Sequence, residues 1–318
     1  MTGTQGVLVD SGDDAAVMRP SDGLDLVATT DSFVESVHYA RPHLAREALG
    51  ARLARANLSD LAAMAARPRW ALFSAGVRRD HDVDDLVAIQ RGLGQALGED
   101  GAAIVGGNLS GVEGAEWFSL TLMGETSRDR AWTRAGARAG DLIAVTGHPG
   151  RAGAGARLAA PGGRTSANDS GALRMAWLAP RSRVAFALEL EPLHAVNAAI
   201  DLSDGIAGDL AHMCEASGFG ARLKAASWPA DPELERVAEA LDTTELELRL
   251  GASDDYELLL ALDPSKRAAV EAVASARGVP LRVVGAFTHE RRGIEWVGTD
   301  GTAREIHARG WDQFRSGV

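Results

Sequence analysis

From residue 7 to residue 297 the chain alternates short apolar runs with runs of helical period, which restricts it to layered folds. VLVD (7–10), LDLVATT (24–30), WALFSAGV (70–77), AAIVGG (102–107) and WFSLTLMGE (117–125) read as strands. Residues 43–66 set Leu44, Ala48, Leu58, Leu61 and Ala65 on or near one helical face, and 83–97 do the same with Val83, Leu86, Leu93 and Leu97. RAGARAG (134–140) has no apolar period, so a boundary is expected there, between a domain of residues 1–133 and one of 134–318. DLIAVTG (141–147) restarts the pattern as a strand, and 151–173 reads as a small-residue helix followed by a loop. A helix near 170–190 follows, then a strand and helix through IDLSDGIAGDLAHM (200–213). Strands at 220–224, 256–262, 281–286 and 293–297 and helices at 232–241 and 265–277 complete the chain. This mixed order predicts α+β or α/β layers rather than a barrel of eight repeated units, and no solenoid period is visible.

Composition acts by exclusion. The 318 residues carry 44 acidic and 33 basic side chains, a net charge of −11, which argues against a nucleic-acid partner. Only Lys224 and Lys266 are lysines, and neither follows a phosphate-cradling glycine loop. The H-R-D and D-F-G signatures of protein kinases are absent. If the chain handles phosphates, metal ions and arginines must supply most of the positive charge. No apolar run approaches a membrane span and MTGTQGVLVD lacks a signal pattern, so a cytoplasmic protein without membrane attachment is expected. The single cysteine, Cys214, excludes an internal disulfide and a thiolate metal cluster, and its apolar helical context predicts a core position.

Acidic and hydroxyl side chains recur where elements end. SGDDAAV carries Asp13 and Asp14; VATTDSF carries Thr29, Thr30 and, just past the strand, Asp31; NLSDLAAM carries Asp60. DLSDG carries Asp201, Ser203 and Asp204, and ASDDYEL carries Asp254 and Asp255, with Glu257 further in. Taken singly these are helix caps and Asx turns. Asp60 is different: no cap is needed inside that helix, so it lies on a solvated face or is costly to bury. As a set, carboxylates from several turns favour a hard cation with oxygen ligands. Mg²⁺ is such a cation and is commonly shared with substrate phosphates.

These motifs also carry a resemblance. GDDAAV, TTDSFVESVHY, NLSDLAAM, the run from Arg134 to Gly147, IDLSDGIAGDL, SDDYEL and the closing GWDQF (310–314) occur in the order seen in thiamine-monophosphate kinases. The resemblance implies the fold shared with aminoimidazole-ribotide synthetase and selenophosphate synthetase. There the N-terminal domain, of mixed strands and helices, forms a β-barrel across a homodimer interface, and a C-terminal α/β domain packs beside it. It implies transfer of the γ-phosphoryl of ATP to thiamine monophosphate with several Mg²⁺ ions. The implied metal ligands are Asp14, Thr29, Thr30, Asp31, Asp60, Asn108, Asp201 and Asp204. Gly106, Gly107, Arg134 and Ser203 would contact the nucleotide, and His38, Asp254 and Trp311 thiamine monophosphate. Bland alternatives stand beside these: Gly106 and Gly107 as a tight strand end, Arg134 as a linker residue, His38 as a surface residue and Trp311 as packing.

The chain departs from the family pattern at three places. Asn108 stands where the family has an aspartate, so one metal should bind more weakly. Asp254 follows Ala252 and Ser253 where the family has glutamate after two glycines. Only a dozen residues precede Asp13, fewer than in the family. No cysteine lies near the start, as selenophosphate synthetase needs, and the chain ends RSGV rather than in the cysteine of the hydrogenase-maturation relative. Three other readings remain: a kinase acting on a different phosphorylated small molecule, a catalytically silent nucleotide-binding homologue, and a structural dimer without metal.

Overall fold

The computed structural model describes residues 6–9, 15–39, 44–160, 171–290 and 293–306. The chain divides into two compact units, one of residues 1–131 with 178–188 and one of 132–177 with 189–318.

The first unit opens with a short ribbon, β1 (Val7–Val9) and β2 (Val17–Met18). Its sheet is formed by β3 (Leu24–Val34), β4 (Arg67–Arg78), β5 (Ala103–Val112) and β6 (Trp117–Ser127), in the spatial order β3-β6-β4-β5. Helices α1 (Arg46–Ala63) and α2 (Val83–Glu99) supply its other layer. The two helices touch backbone to backbone: a Cβ on Gly50 would lie 1.9 Å from the Ile89 carbonyl oxygen, and one on Gly92 equally close to that of Glu47. α1 packs on β3 and β6 and is buried around most of its circumference, which its small residues permit. It stops at Ala63, and Ala65 turns the chain with a left-handed φ of 51°.

Along β3 the odd residues face inward and the even ones are exposed, from Leu24 through Ser32. This is the signature of an antiparallel strand with one covered face. β3 runs four residues beyond the predicted 24–30, so Asp31 lies within the strand rather than past it. Its full-length pairing with β6, from Leu24 with Ser127 to Val34 with Trp117, explains the extension.

The second unit holds β7 (Leu142–Thr146), α3 (Arg151–Ala159), α4 (Gly171–Leu178) and, after an excursion of the chain into the first unit, the end of α5 (Val184–Leu190). Then follow β8 (Val196–Leu202), α6 (Ile206–Ser217), β9 (Gly220–Lys224), α7 (Pro232–Ala240) and α8 (Glu245–Leu250). β10 (Glu257–Leu262), α9 (Arg267–Arg277), β11 (Leu281–Thr288), β12 (Ile294–Val297) and β13 (Ala303–Ile306) complete it. The seven strands lie in the order β13-β12-β9-β11-β7-β10-β8. Only β9 and β12 pair in parallel, so this is a mixed sheet dominated by antiparallel pairs.

Where one helix was expected near 170–190, two form. Pro180 separates them, because it cannot continue a helix and its ring clashes with the preceding turn. Its carbonyl instead accepts Arg55 Nη1 from α1 at 2.7 Å, within the first unit. α8 and β13 were not anticipated: six and four residues are too few to show a period. α8 is set by a capping box, with Thr244 Oγ1 accepting the Glu247 amide while the Glu247 carboxylate accepts the Thr244 amide. Cys214 is buried on α6, and burial pushes its thiol up to about 12, leaving it an inert apolar filler. Among the described residues no helix is long and apolar enough to cross a membrane.

Candidate active site

In the first unit, the inward parity of β3 brings Thr29 and Asp31 to the face on which α1 packs. Thr29 Oγ1 donates to Asp60 Oδ2 at 2.5 Å. Asp60 is half-buried and tied to the sheet, so the solvated helix face is not its place. Thr30 has the opposite parity: its hydroxyl donates to the Leu120 carbonyl at 3.1 Å and accepts from Thr121 Oγ1 at 3.1 Å. Asn108 stands in register with Ser74, which pairs with Ser119, which pairs with Ser32, a row one step from that of Asp31. Its amide donates to Ser110 Oγ at 3.2 Å, and the residue is exposed. The structure thus joins Thr29 to Asp60 on one face and sets Thr30 and Asn108 in the rows of the exposed one.

Gly106 and Gly107 sit where the β4–β5 register slips by a residue. Val105 is the extra residue of that slip, and a Cβ on Gly107 two residues on would fall 1.8 Å from the Phe73 carbonyl oxygen, so only glycine fits opposite Phe73. His38 closes the turn after β3. Its Nδ1 accepts the Val34 amide at 3.0 Å and its ring stacks on Phe33, with centroids 5.6 Å apart. Accepting through Nδ1 puts the proton of the neutral ring on Nε2. Asp14 and Trp311 lie outside the described residues, as does the 161–170 part of the expected loop.

In the second unit, β8 ends in Asp201 and Leu202, and the chain turns through Ser203–Gly205 into α6. Asp201 is buried and paired with Leu258 of β10. Gly205 has φ 96°, a conformation that favours glycine, and a Cβ there would meet the Gly251 carbonyl oxygen at 1.9 Å. The Ser203 carbonyl accepts the Asp254 amide at 3.1 Å, and the Leu202 carbonyl accepts that of Tyr256 at 2.8 Å. Two stretches fifty residues apart therefore form one surface carrying Ser203, Asp204 and Asp254. The 133–137 segment docks beside it: Ala199 donates to the Thr133 carbonyl at 2.9 Å, and Ser217 Oγ to the Arg134 carbonyl at 3.2 Å.

The electrostatics of this group are those of crowded carboxylates. Burial raises the Asp204 carboxyl above its ordinary range, His212 opposes that, Asp254 adds to it and Arg134 opposes it. Asp209, a turn into α6 and 2% exposed, is pushed up to about 7, first by burial and then by Asp204. Its Oδ2 has no hydrogen-bond partner. Asp209 is not among the residues that the sequence motifs single out. The available signal was a carboxylate among Ile206, Leu210 and Met213, all on the buried side of α6. Apart from the imidazoles of His38 and His212, the possible ligands named here are carboxylate, hydroxyl, amide or carbonyl oxygens, which suit Mg²⁺ better than a soft metal. Among the described residues no three His, Cys, Asp or Glu side chains close around a common point within metal-binding reach.

The chain matches the family of AIR synthase related proteins, by its N-terminal domain over residues 12–126 and its C-terminal domain over 138–298. It is 32% identical over 308 residues to the thiamine-monophosphate kinase of Escherichia coli, covering 95% of this chain and 91% of that one. It is 34% identical over 316 residues to the enzyme of that name from Caulobacter vibrioides, covering 96% and 85%. The crystal structure of thiamine-monophosphate kinase from Stenotrophomonas maltophilia superposes with a TM-score of 0.83 at 30% identity, covering 95% of this chain and 93% of that one. A structure described as AaThiL complexed with AMPPCP and TMP superposes with a TM-score of 0.79 at 27% identity, covering 93% and 89%. Identity of this level along nearly the whole chain, with both domain matches in order, makes it a member of the thiamine-monophosphate kinase family.

Proposed function

We propose that this protein is a cytoplasmic kinase that transfers the γ-phosphoryl group of ATP directly to thiamine monophosphate, giving thiamine diphosphate and ADP. The observation that carries the reading is the match over 95% of the chain to an enzyme of that name. The likeness to a structure holding a nucleotide analogue together with TMP adds to it.

The residue chemistry suits the reaction. The acceptor is a phosphomonoester whose second pKa is about 6, so it is largely deprotonated at neutral pH and needs no general base. The obstacle is the approach of two anions, and positioning with charge neutralisation overcomes it. Mg²⁺, when bound, supplies the positive charge that two lysines cannot. The residues proposed to hold it are Asp14, Thr29, Thr30, Asp31, Asp60, Asn108, Asp201 and Asp204. The mutual crowding of Asp204, Asp209 and Asp254 supports this, since a cation relieves it. Arg134, Ser203, Gly106 and Gly107 are proposed to meet the nucleotide, and His38, through Nε2–H, the acceptor together with Asp254 and Trp311. Trp311 would face the cationic thiazolium, a contact of about 0.5–2 kcal/mol.

The exposed face of the four-stranded sheet supports a homodimer. Leu26 is 51% exposed and Leu24 is 37% exposed on β3, and a second copy of this face would cover them and complete the proposed barrel.

Asn108 favours a second reading, a weakened nucleotide-binding homologue, because an amide carries no charge to hold a cation. ADP formation measured with thiamine monophosphate against other phosphomonoesters, on the wild type and Asn108→Asp, decides. Turnover specific to thiamine monophosphate supports the kinase, with Asn108→Asp saturating at lower Mg²⁺. If both proteins bind ATP with Mg²⁺ and form no ADP with any acceptor, the kinase reading fails.

A further inference from the structure

Asp255 belongs to none of the roles above, yet it is buried between two backbone segments. Its Oδ2 accepts the Gly150 amide at 2.6 Å and its Oδ1 the Ala152 amide at 3.0 Å, so it caps the first turn of α3 from outside the helix. Its neighbours are unusual. Asp254 and Tyr256 both adopt left-handed backbone, with φ of 51° and 52°, which local sequence does not favour in non-glycine residues. Something tertiary must hold them. The amides of both point the other way, onto the carbonyls of Ser203 and Leu202. Residues 254–256 therefore link the start of α3 on one side to the turn between β8 and α6 on the other.

The space around this link is closed. α3 lies so near that a Cβ on Gly153 would come within 2.7 Å of the Ala252 carbonyl oxygen and 3.0 Å of the Ser253 Cα. Across the segment, the Gly205 turn abuts the Gly251 carbonyl. The strand that follows is tied to the same end of β7 by Thr146 Oγ1, which donates to Glu257 Oε2 at 2.5 Å and accepts the Leu258 amide at 2.8 Å.

We propose that Asp255 is a positioning residue: by fastening residues 254–256 to the first turn of α3, it sets where the Asp254 carboxylate stands beside the Ser203–Asp204 turn. The assignment rests on the reading of Asp254 as a contact to the phosphate acceptor. Asp255 itself is 7% exposed, and both its carboxylate oxygens are taken up by amides at the start of α3. An amide in its place keeps one acceptor for the two N–H groups and turns a donor towards the other.

Two variants test it, Asp255→Asn from the side-chain end and Gly153→Ala from the helix end. Each should raise the KM for thiamine monophosphate about tenfold or more, a misplacement effect, while the KM for ATP changes less than twofold. A cycle with Asp254→Ala gives the sharper readout: removing Asp254 should cost much less in the Asp255→Asn background than in the wild type. Hydrogen exchange on the protein without ligands should show the amides of Asp254 and Tyr256 exchanging faster in both variants. Additive losses in the cycle, or exchange unchanged at those two amides, overturn the proposal. A wild type inert towards thiamine monophosphate sinks the kinase reading instead, and the exchange experiment still decides whether Asp255 holds the segment.

Discussion

The two sheets differ in how they are covered. On β3 every second residue is exposed from Leu24 to Ser32, whereas all six residues of β10 are buried. LDLVATTDSF alternates because one of its faces packs on α1. ELLLAL does not alternate because β10 lies inside the sheet, between β7 and β8, with both faces closed. Buried charge is also treated differently. In the first unit, buried Glu125 meets Arg69 at 3.1 Å and buried Glu116 meets His81 at 2.9 Å. In the second, Asp209 and Asp255 are buried and each is pushed up to about 7, chiefly by burial. The second unit also holds an ion-paired case, buried Asp231 with Arg151 at 2.6 Å, so the contrast lies with Asp209 and Asp255.

Three experiments break or sharpen this comparison. Leu259→Ala, at a fully buried position of β10, should destabilise the second unit by about 2–5 kcal/mol in a denaturant titration. A cost under about 1 kcal/mol would mean that β10 is not enclosed on both faces. A pH series without Mg²⁺ has the next largest effect. Asp209 and Asp255 have folded-state pKa values above the ordinary 3.8, so the folded state holds more protons than the unfolded one between about 4 and 7. Their contribution is fully present below pH 4 and is lost as pH rises through about 7, by about 1 kcal/mol or more. The double substitution Asp209→Asn with Asp255→Asn should flatten that slope, and an unchanged slope would assign it to other groups. The smallest effect belongs to the open sheet face. Leu26→Ser should leave monomer stability within about 0.5 kcal/mol but weaken self-association in sedimentation. A large loss of monomer stability would show that β3 is covered within its own chain.

Much of the fold was readable because its signals are local. The eighteen-residue α1 and the seventeen-residue α2 show their period, and the strand runs of both units are apolar and bounded by turn residues. Residues 178–188 carry no compositional mark that sends them to the first unit. The Arg55 bond to the Pro180 carbonyl joins positions 125 apart in sequence. The candidate site divides in the same way. Asp60 stood out as a carboxylate with no local reason to be there, and its partner proved to be Thr29. Asp209 did not stand out, since Asp near a helix start is ordinary, and Asp255 stood only as one of several turn acids with no role of its own.

Residue order alone determined the alternating layers, the absence of a lysine-based phosphate loop and the mainly oxygen character of the possible ligands, because these depend on residue type and short-range period. The tertiary structure alone decided that Thr29 grips Asp60, that Thr30 faces the other way, and that Asp254 and Tyr256 are held left-handed between α3 and the Ser203 turn. Those depend on strand parity, register and contacts between residues 30 to 105 apart, and no local preference encodes them.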